Sequence, residues 1–146
     1  MKANRSTDEQ MVKAEEIRAK LAQFSGTTAY YRYSSLFPFM LLTDGTRCLA
    51  QDCNCYWLID TIASMQTSSV IRKHEKLQSF QSWKLVVNSD NSAVLTCEWD
   101  SDEVVFSKEL TYTDCPLPEV RIWVQPWCHP LLPTKKHLVA FLPSEY

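Results

Sequence analysis

The chain has 146 residues, 45% of them hydrophobic, and a formal net charge of −2, so we predict a single domain spanning residues 1–146, with residues 1–6 disordered. The small net charge argues against a general polyanion binder, because affinity for phosphates comes largely from clustered lysine and arginine. Gly26 and Gly45 are the only glycines, which excludes glycine-rich phosphate-binding loops and the nucleophile elbow of the α/β hydrolases.

The first residues are polar and charged rather than apolar, so the sequence shows no export signal. No apolar run approaches the roughly 20 residues that a membrane span needs. We therefore expect a cytoplasmic protein that does not bind a membrane. In that reducing compartment the six cysteines should carry free thiols.

A helix is predicted near the N-terminus. Ser6 and Glu9 form a capping box at its start, and Gly26 stands after its end as a left-handed cap. Its apolar positions form one narrow face: Ala14, Ile17, Leu21 and Phe24. Such a face needs one covering neighbour, either the chain's own body or a second copy of the chain.

An aromatic run, Tyr30 to Tyr33, follows this helix and contains residue types that are common at protein interfaces. With the end of the helix it makes our candidate interaction surface: Leu21, Phe24, Tyr30, Tyr31, Arg32 and Tyr33. We expect a homodimer, since two-fold pairs are the commonest closed assemblies. Packed aromatics and a solvated loop are one alternative. The other is a stacking and cationic surface for single-stranded nucleic acid, with Arg72, Lys73, Lys76 and Trp123.

A hairpin is predicted next. Asp44-Gly45 is typical of a two-residue type I′ turn, so residues 39–43 and 46–51 should be its paired strands. Cys48 then falls on the buried face of the hairpin. The segment before it should be a loop or an edge, because Pro38 lacks the N–H that a central strand needs.

Residues 55–65 show the most apolar helical pattern, which predicts a core helix. Its apolar face consists of Cys55, Leu58, Ile59, Ile62 and Met65. Asp52 or Asn54 is placed to cap its N-terminus. Residues 66–81 lose this periodicity and contain the densest basic cluster, so we predict a crossover loop there, with or without a short helical turn.

Alternating apolar and polar residues then predict an antiparallel meander of about four strands: 83–88, 95–99, 104–113 and 120–124. Trp83 and Trp99 should be buried under the core helix, with Leu85, Leu95 and Ile122. Pro126 should end the last of these strands, and residues 138–142 should return to the core as a short strand. The predicted fold is α+β, an antiparallel sheet of this meander plus the N-terminal hairpin, packed against two helices.

Short segments distributed along the chain form a recognisable pattern: 24–33, 36–37, 43–45, 55–60, 81–83, 113–114 and 142–146. Together they resemble a family of small bacterial proteins of unknown function, from about Leu21 to the end of the chain. The resemblance implies no activity, cofactor or catalytic residue. Cys115 and residues 127–136 depart from the usual pattern of that family, which argues against a shared chemistry at Cys128 or His129.

Cysteine and histidine side chains are the usual ligands of structural zinc. The candidates are Cys53, Cys55, Cys128, His129 and His137. A C-x-C pair and an adjacent Cys-His pair do not have the spacing of zinc knuckles. We therefore predict neither a metal site nor a bound cofactor.

Tyr56, Trp57 and Asp60 form a candidate polar site on the core helix. A carboxylate against aromatic rings could be desolvated, which would raise its pKa toward that of a catalytic acid. The simpler interpretation is that Asp60 bonds to a tyrosine, an arginine or a backbone N–H. No motif assigns catalytic residues, so the sequence leaves enzymatic activity uncertain.

The function that these residues favour is a non-enzymatic cytoplasmic binding or interaction protein that self-associates. Two alternatives stay open. One is an enzyme or metal-binding protein with a site near Asp60 or the cysteines, and the other is a weak binder of single-stranded nucleic acid. A protein partner or a second copy of the chain is the expected partner, with nucleic acid disfavoured by the charge.

Overall fold

The computed structural model describes residues 8–27, 29–100, 103–129 and 132–146. Within these ranges the α-helices are α1 (Asp8–Leu21), α2 (Asp44–Asp52), α3 (Tyr56–Met65) and α4 (Ser69–Arg72), and 3₁₀ turns span Lys76–Gln78 and Pro143–Glu145. The strands are β1 (Tyr31–Ser34), β2 (Phe37–Leu42), β3 (Gln81–Val87), β4 (Ala93–Asp100), β5 (Glu103–Leu110), β6 (Glu119–His129) and β7 (Leu132–Phe141). The predicted cap at Ser6 and the predicted disorder of residues 1–6 fall outside the described ranges.

The strands form one sheet in the order β1-β2-β7-β6-β3-β4-β5. Its neighbouring strands pair antiparallel except β2 and β7, which run parallel with Met40 opposite Leu138. The α+β class and the dominance of antiparallel pairing are therefore confirmed. The predicted count of about four strands plus a hairpin, on two helices, is wrong in detail, because the described residues form seven strands and four α-helices.

The predicted hairpin at Asp44-Gly45 is wrong, because these residues begin α2 rather than a turn. Neither glycine of the chain has a positive φ angle, whereas a type I′ turn requires positive φ at both central residues. Thr43 is the N-cap instead, and its Oγ1 accepts the backbone N–H of Thr46 at 3.3 Å. Residues 46–51 are consequently helical, and Cys48 lies on a helix rather than a strand.

Glu145, near the other end of the chain, completes the N-terminus of α2. Its carboxylate accepts the backbone N–H of Gly45 at 2.9 Å and the hydroxyl of Thr43 at 2.6 Å. It also accepts the N–H of Leu142 at 2.9 Å within its own turn. A negative charge at this position stabilises the helix, because the first N–H groups have no intrahelical partner and the helix dipole is positive there.

Two further predicted caps are wrong. The helix α1 ends at Leu21, and Gly26 does not adopt the left-handed conformation. Asn54, with φ of 50°, instead terminates α2, and the next N–H, from Cys55, bonds to the carbonyl of Ala50 at 3.0 Å. Cys55 is the N-cap of α3 without a side-chain hydrogen bond, so neither Asp52 nor Asn54 caps that helix.

The core lies between the helices and one face of the sheet. The predicted core helix is confirmed as α3, with Leu58, Ile59 and Ile62 at most 1% exposed. On α1, Ala14 and Ile17 are also buried, and α1 packs against α2. The chain's own body therefore covers this part of the narrow apolar face. Within the described ranges, no helix combines the length and apolar character needed to cross a membrane.

The strand β3 shows which face of the sheet is covered. Trp83 is 1% exposed and belongs to the core, as predicted, together with Leu85, Leu95 and Ile122. Trp99 is only partly buried, and the ammonium of Lys76 lies 4.0 Å from its ring centre. Its predicted burial is wrong, because the pairing of β4 with β5 shifts register on both sides of Glu98 and disturbs the alternation there.

The strand β6 continues through Pro126, so the predicted end there is wrong. The pairing with β3 stops at Val124, opposite Gln81, whereas the pairing with β7 continues past Leu138. Beyond Val124 the β3 side of β6 is therefore an edge, where the missing N–H of a proline is tolerated.

We expect Gly45→Ala to destabilise the protein, although alanine normally favours a helix by about 1 kcal/mol over glycine. A Cβ at Gly45 would lie 2.7 Å from Cδ of Glu145 and 2.8 Å from Cδ1 of Leu142. Because hydrogen bonds hold that carboxylate, the substitution should cost about 1–3 kcal/mol in overpacking. Gly26→Ala is the matched control, with nothing within 4 Å of its Cβ. Urea denaturation midpoints test this, and equal or higher stability for Gly45→Ala would contradict it.

Candidate functional site

The candidate polar site on α3 is joined to the aromatic run. The hydroxyl of Tyr33 donates to Oδ1 of Asp60 at 2.5 Å and lies 3.1 Å from the carbonyl oxygen of Tyr56. The rings of Tyr33 and Tyr56 stack with their centres 6.3 Å apart. Burial, reinforced by the hydrogen bond to the Asp60 carboxylate, raises the pKa of Tyr33. Asp60 therefore has the tyrosine partner that the simpler interpretation expects, and Trp57 lies half-buried beside it.

Tyr31 makes a second attachment of the same kind. Its hydroxyl donates to Oδ1 of Asp44 at 2.7 Å, and the guanidinium of Arg47 lies 4.4 Å from its ring centre. The hydrogen bond to Asp44, together with burial, raises the pKa of Tyr31. Tyr31 and Tyr33 thus fix β1 to the N-terminus of α2 and to α3.

The candidate interaction surface is therefore divided. In the aromatic run, Tyr30 and Arg32 are exposed, Tyr30 at 45%, whereas Tyr31 and Tyr33 are half-buried against the helices. Leu21 and Phe24 are also half-buried. The ring of the exposed Tyr30 packs against Trp127 of β6 rather than against the end of α1.

The cysteines of the α2–α3 junction are buried. Cys53 and Cys55 are at most 1% exposed, and so is Cys115 from the loop before β6. The hydrogen bond with Cys115 lowers the pKa of Cys53, but the hydrogen bond with Cys55 and the burial outweigh it and raise that pKa to about 12. Cys53 is therefore protonated at neutral pH in the metal-free protein, whereas the nucleophilic form of a cysteine is the thiolate.

The remaining members of the proposed zinc set lie elsewhere. Cys128 and His129 belong to the end of β6, and their side chains are outside what the structure describes. His137 lies on β7, and its ring packs edge-on to that of Trp127, with the ring centres 6.3 Å apart. Among the described residues, no group of three or more histidine, cysteine, aspartate or glutamate side chains is arranged to hold a metal ion.

The face of the sheet opposite the core carries aromatic side chains that sequence reasoning found only in part. Trp123 and Trp127 point away from the buried Ile122 and Val124 of the same strand. They belong to what we call the outer aromatic row: Tyr30, Phe80, Trp123, Trp127, Phe141 and Tyr146. In the sequence, the alternation within β6 is the one signal that indicates this row, because its other members come from distant segments.

Ring contacts arrange the outer aromatic row in two groups, Tyr30 with Trp127, and Trp123 with Phe80, Phe141 and Tyr146. The ring centres of Tyr30 and Trp127 are 4.8 Å apart, and those of Phe80 and Trp123 are 5.3 Å apart. Tyr146 lies 5.7 Å from Trp123. A cleft of about 180 Å³ is lined by both Tyr30 and Tyr146, so the two ends of the row face the same space.

Two of the other clefts combine aromatic with charged side chains. One, of about 270 Å³, extends the outer aromatic row past Phe80 and Trp123 to Trp99, with Lys84 and Arg121 in its lining. The other, of about 690 Å³, lies where the crossover segment 66–81 meets β2, β6 and β7.

We expect Tyr33→Phe to lower the free energy of unfolding by about 0.5–1.5 kcal/mol, because the exposed carboxylate of Asp60 loses the hydroxyl that ties it to β1. Since the folded pKa of Tyr33 lies above the ordinary value of 10.0, this advantage should be full below pH 10.0 and should shrink as the pH rises beyond it. Chemical denaturation at neutral and alkaline pH tests both points, with the exposed Tyr112→Phe as control. An unchanged neutral midpoint would contradict the role of Tyr33.

Comparison with known proteins places the chain in a family. The model of a family of unknown function, DUF6876, matches residues 15–146. No curated protein and no solved structure matches the chain. The match includes the seven described strands and the outer aromatic row, and it confirms the resemblance to a family of unknown function. The chain therefore belongs to the family of unknown function DUF6876.

Proposed function

We propose that this protein is a non-enzymatic interaction protein that forms a homodimer through the outer aromatic row. The observation that carries the proposal is that two groups of aromatic side chains in ring contact line one shared cleft. Tyr146 is 80% exposed and Tyr30 is 45% exposed. Contiguous apolar surface of this kind marks interaction sites, where tyrosine and tryptophan carry much of the binding energy.

The alternation along β3 supports an open outer face. Trp83 and Leu85 are buried in the core. The residues that alternate with them are more accessible: Ser82 and Lys84 are half-buried, and Val86 is exposed. Because successive residues of a strand point to opposite faces, the helices cover one side of the sheet and leave the other accessible.

Charges of both signs support a second copy as the partner. Lys84 and Arg121 border the row beside Glu98, and Arg121 pairs with Glu119 at 2.6 Å. A two-fold interface places the same patch on both partners, so a border of mixed sign can complement itself. A nucleic-acid surface would instead need unpaired positive charge.

The other proposed roles have less support. Asp60 is bonded to Tyr33, the thiol of Cys53 is protonated at neutral pH, and no group of three or more potential metal ligands occurs among the described residues. The free thiols of Cys48, Cys53 and Cys97 are consistent with the reducing cytoplasm that we propose as the location. We further propose that the chain folds as one domain, since a single sheet contains all its described strands.

Sedimentation velocity at several concentrations should show a dimer for the parent chain. The double substitution Tyr30→Ser with Tyr146→Ser should give a folded monomer, because it removes the two exposed ends of the row. Tyr112→Ser is the matched control, since Tyr112 is a 54% exposed tyrosine outside the row. Its dimer should be unchanged.

A parent chain that stays monomeric at the highest concentration would overturn the homodimer proposal, as would equal dissociation in the control. Fluorescence anisotropy with a single-stranded oligonucleotide tests the remaining alternative, which is binding of single-stranded nucleic acid. A monomer that binds the oligonucleotide, and loses that binding in the double variant, would assign the row to nucleic acid instead.

A further inference from the structure

The cleft of about 690 Å³ lies apart from the outer aromatic row and shares no lining residue with it. It has the size of a small-molecule site, for which roughly 300–1,000 Å³ is typical. Three apolar side chains, from β2, β6 and β7, contribute to its wall: Phe39, Pro126 and Leu138. The polar part of its lining comes mainly from the crossover segment and from the start of β7 as it approaches the core.

The charged side chains in this lining are all positive. Among the described residues, Arg72 and Lys136 line the cleft, and no aspartate or glutamate does. The ion pairs among the described residues involve neither of these two cations. Two cations beside an apolar wall, with no carboxylate to neutralise them, favour an anionic group in the cleft.

His137 supplies a second, independent observation. It lines the cleft, and its Nδ1 is buried without a hydrogen-bond partner among the described residues. Buried polar atoms are nearly always hydrogen-bonded, so an exception needs an explanation. The imidazole ring packs edge-on to Trp127, with the ring centres 6.3 Å apart, and this contact restricts its orientation. No described residue satisfies this nitrogen, and His137 borders both the cleft and Trp127.

The wall of the cleft on the crossover side is held in place by amide hydrogen bonds. Gln66 and Gln81 donate to each other through their side chains, both at 2.8 Å. The indole N–H of Trp83 donates to Gln81 at 2.8 Å, which ties this pair to the core. Gln78 donates to the carbonyl of Ile71 at 2.6 Å and fixes the segment that carries Arg72. The site is thus preorganised, which lowers the entropic cost of binding.

We propose that this cleft binds a small molecule with one anionic head group and an apolar body. The head group, a carboxylate or a phosphate, lies between Arg72 and Lys136 and reaches His137. The apolar body packs against Phe39 and Leu138. The proposal does not depend on the homodimer, because the two surfaces use different residues.

Isothermal titration calorimetry on the full chain tests this with three probes that share one alkyl chain: octanoate, octyl phosphate and octan-1-ol. Either anion should bind saturably, and the alcohol about tenfold more weakly, because one charge-assisted hydrogen bond is worth at least that factor. The tighter anion identifies the head group. Arg72→Gln and Lys136→Gln should each weaken the anion by about tenfold and leave the alcohol unchanged.

Lys73→Gln is the matched control, since it removes the same charge from an exposed side chain that does not line the cleft. It should bind the anions as the parent does. Arg72 and Lys136 are also exposed, so thermal unfolding midpoints should confirm that their variants fold. The absence of saturable anion binding, equal affinity for the alcohol, or an equal loss in Lys73→Gln would each overturn the proposal.

Discussion

The carboxylate of Glu145 at the N-terminus of α2 is the interaction on which the arrangement of the sheet depends. It bonds to Thr43 and Gly45, which directly follow β2, and so brings the end of the chain to that strand. The strand β2 pairs with β1 and β7, so the β1–β2 pair is joined to the rest of the sheet through β7. Ala140 on β7 accepts the hydroxyl of Thr46 at 2.9 Å, which reinforces the same junction. A part-buried polar contact thus holds the helix that follows β2 to the turn that follows β7, next to the one parallel strand pair among the described strands.

The strand β6 contributes to both proposed binding surfaces. Because successive residues of a strand point to opposite faces, Pro126 lines the cleft of about 690 Å³ while Trp127 belongs to the outer aromatic row. The two surfaces differ in chemistry, because the row is aromatic with charges of both signs, whereas the cleft combines apolar side chains with unpaired cations. His137 and Trp127 are cross-strand neighbours and meet edge to ring, so a single ring contact separates the surfaces.

Local periodicity was sufficient for the elements whose burial repeats regularly. The helix α3 and the hairpin of β3 and β4 were predicted because Leu58 and Ile62, or Trp83 and Leu85, return to the same face at the spacing of their element. The prediction failed at Asp44-Gly45, where a strong local turn signal was overridden. The group that overrides it, Glu145, is one hundred residues from Gly45 in sequence, so no local pattern contains it.

By itself, the sequence determined the α+β class, the core helix, the membership of the family and the absence of glycine-rich phosphate loops, since these depend on composition and short-range order. Only the tertiary structure decided which side chains meet. Tyr30, Trp127 and Tyr146 join one surface, and Arg72 and Lys136 another, although each set is scattered along the chain. The physical reason is that strand order and the crossover between β2 and β7 bring these segments together, and both are consequences of long-range packing rather than of local propensity.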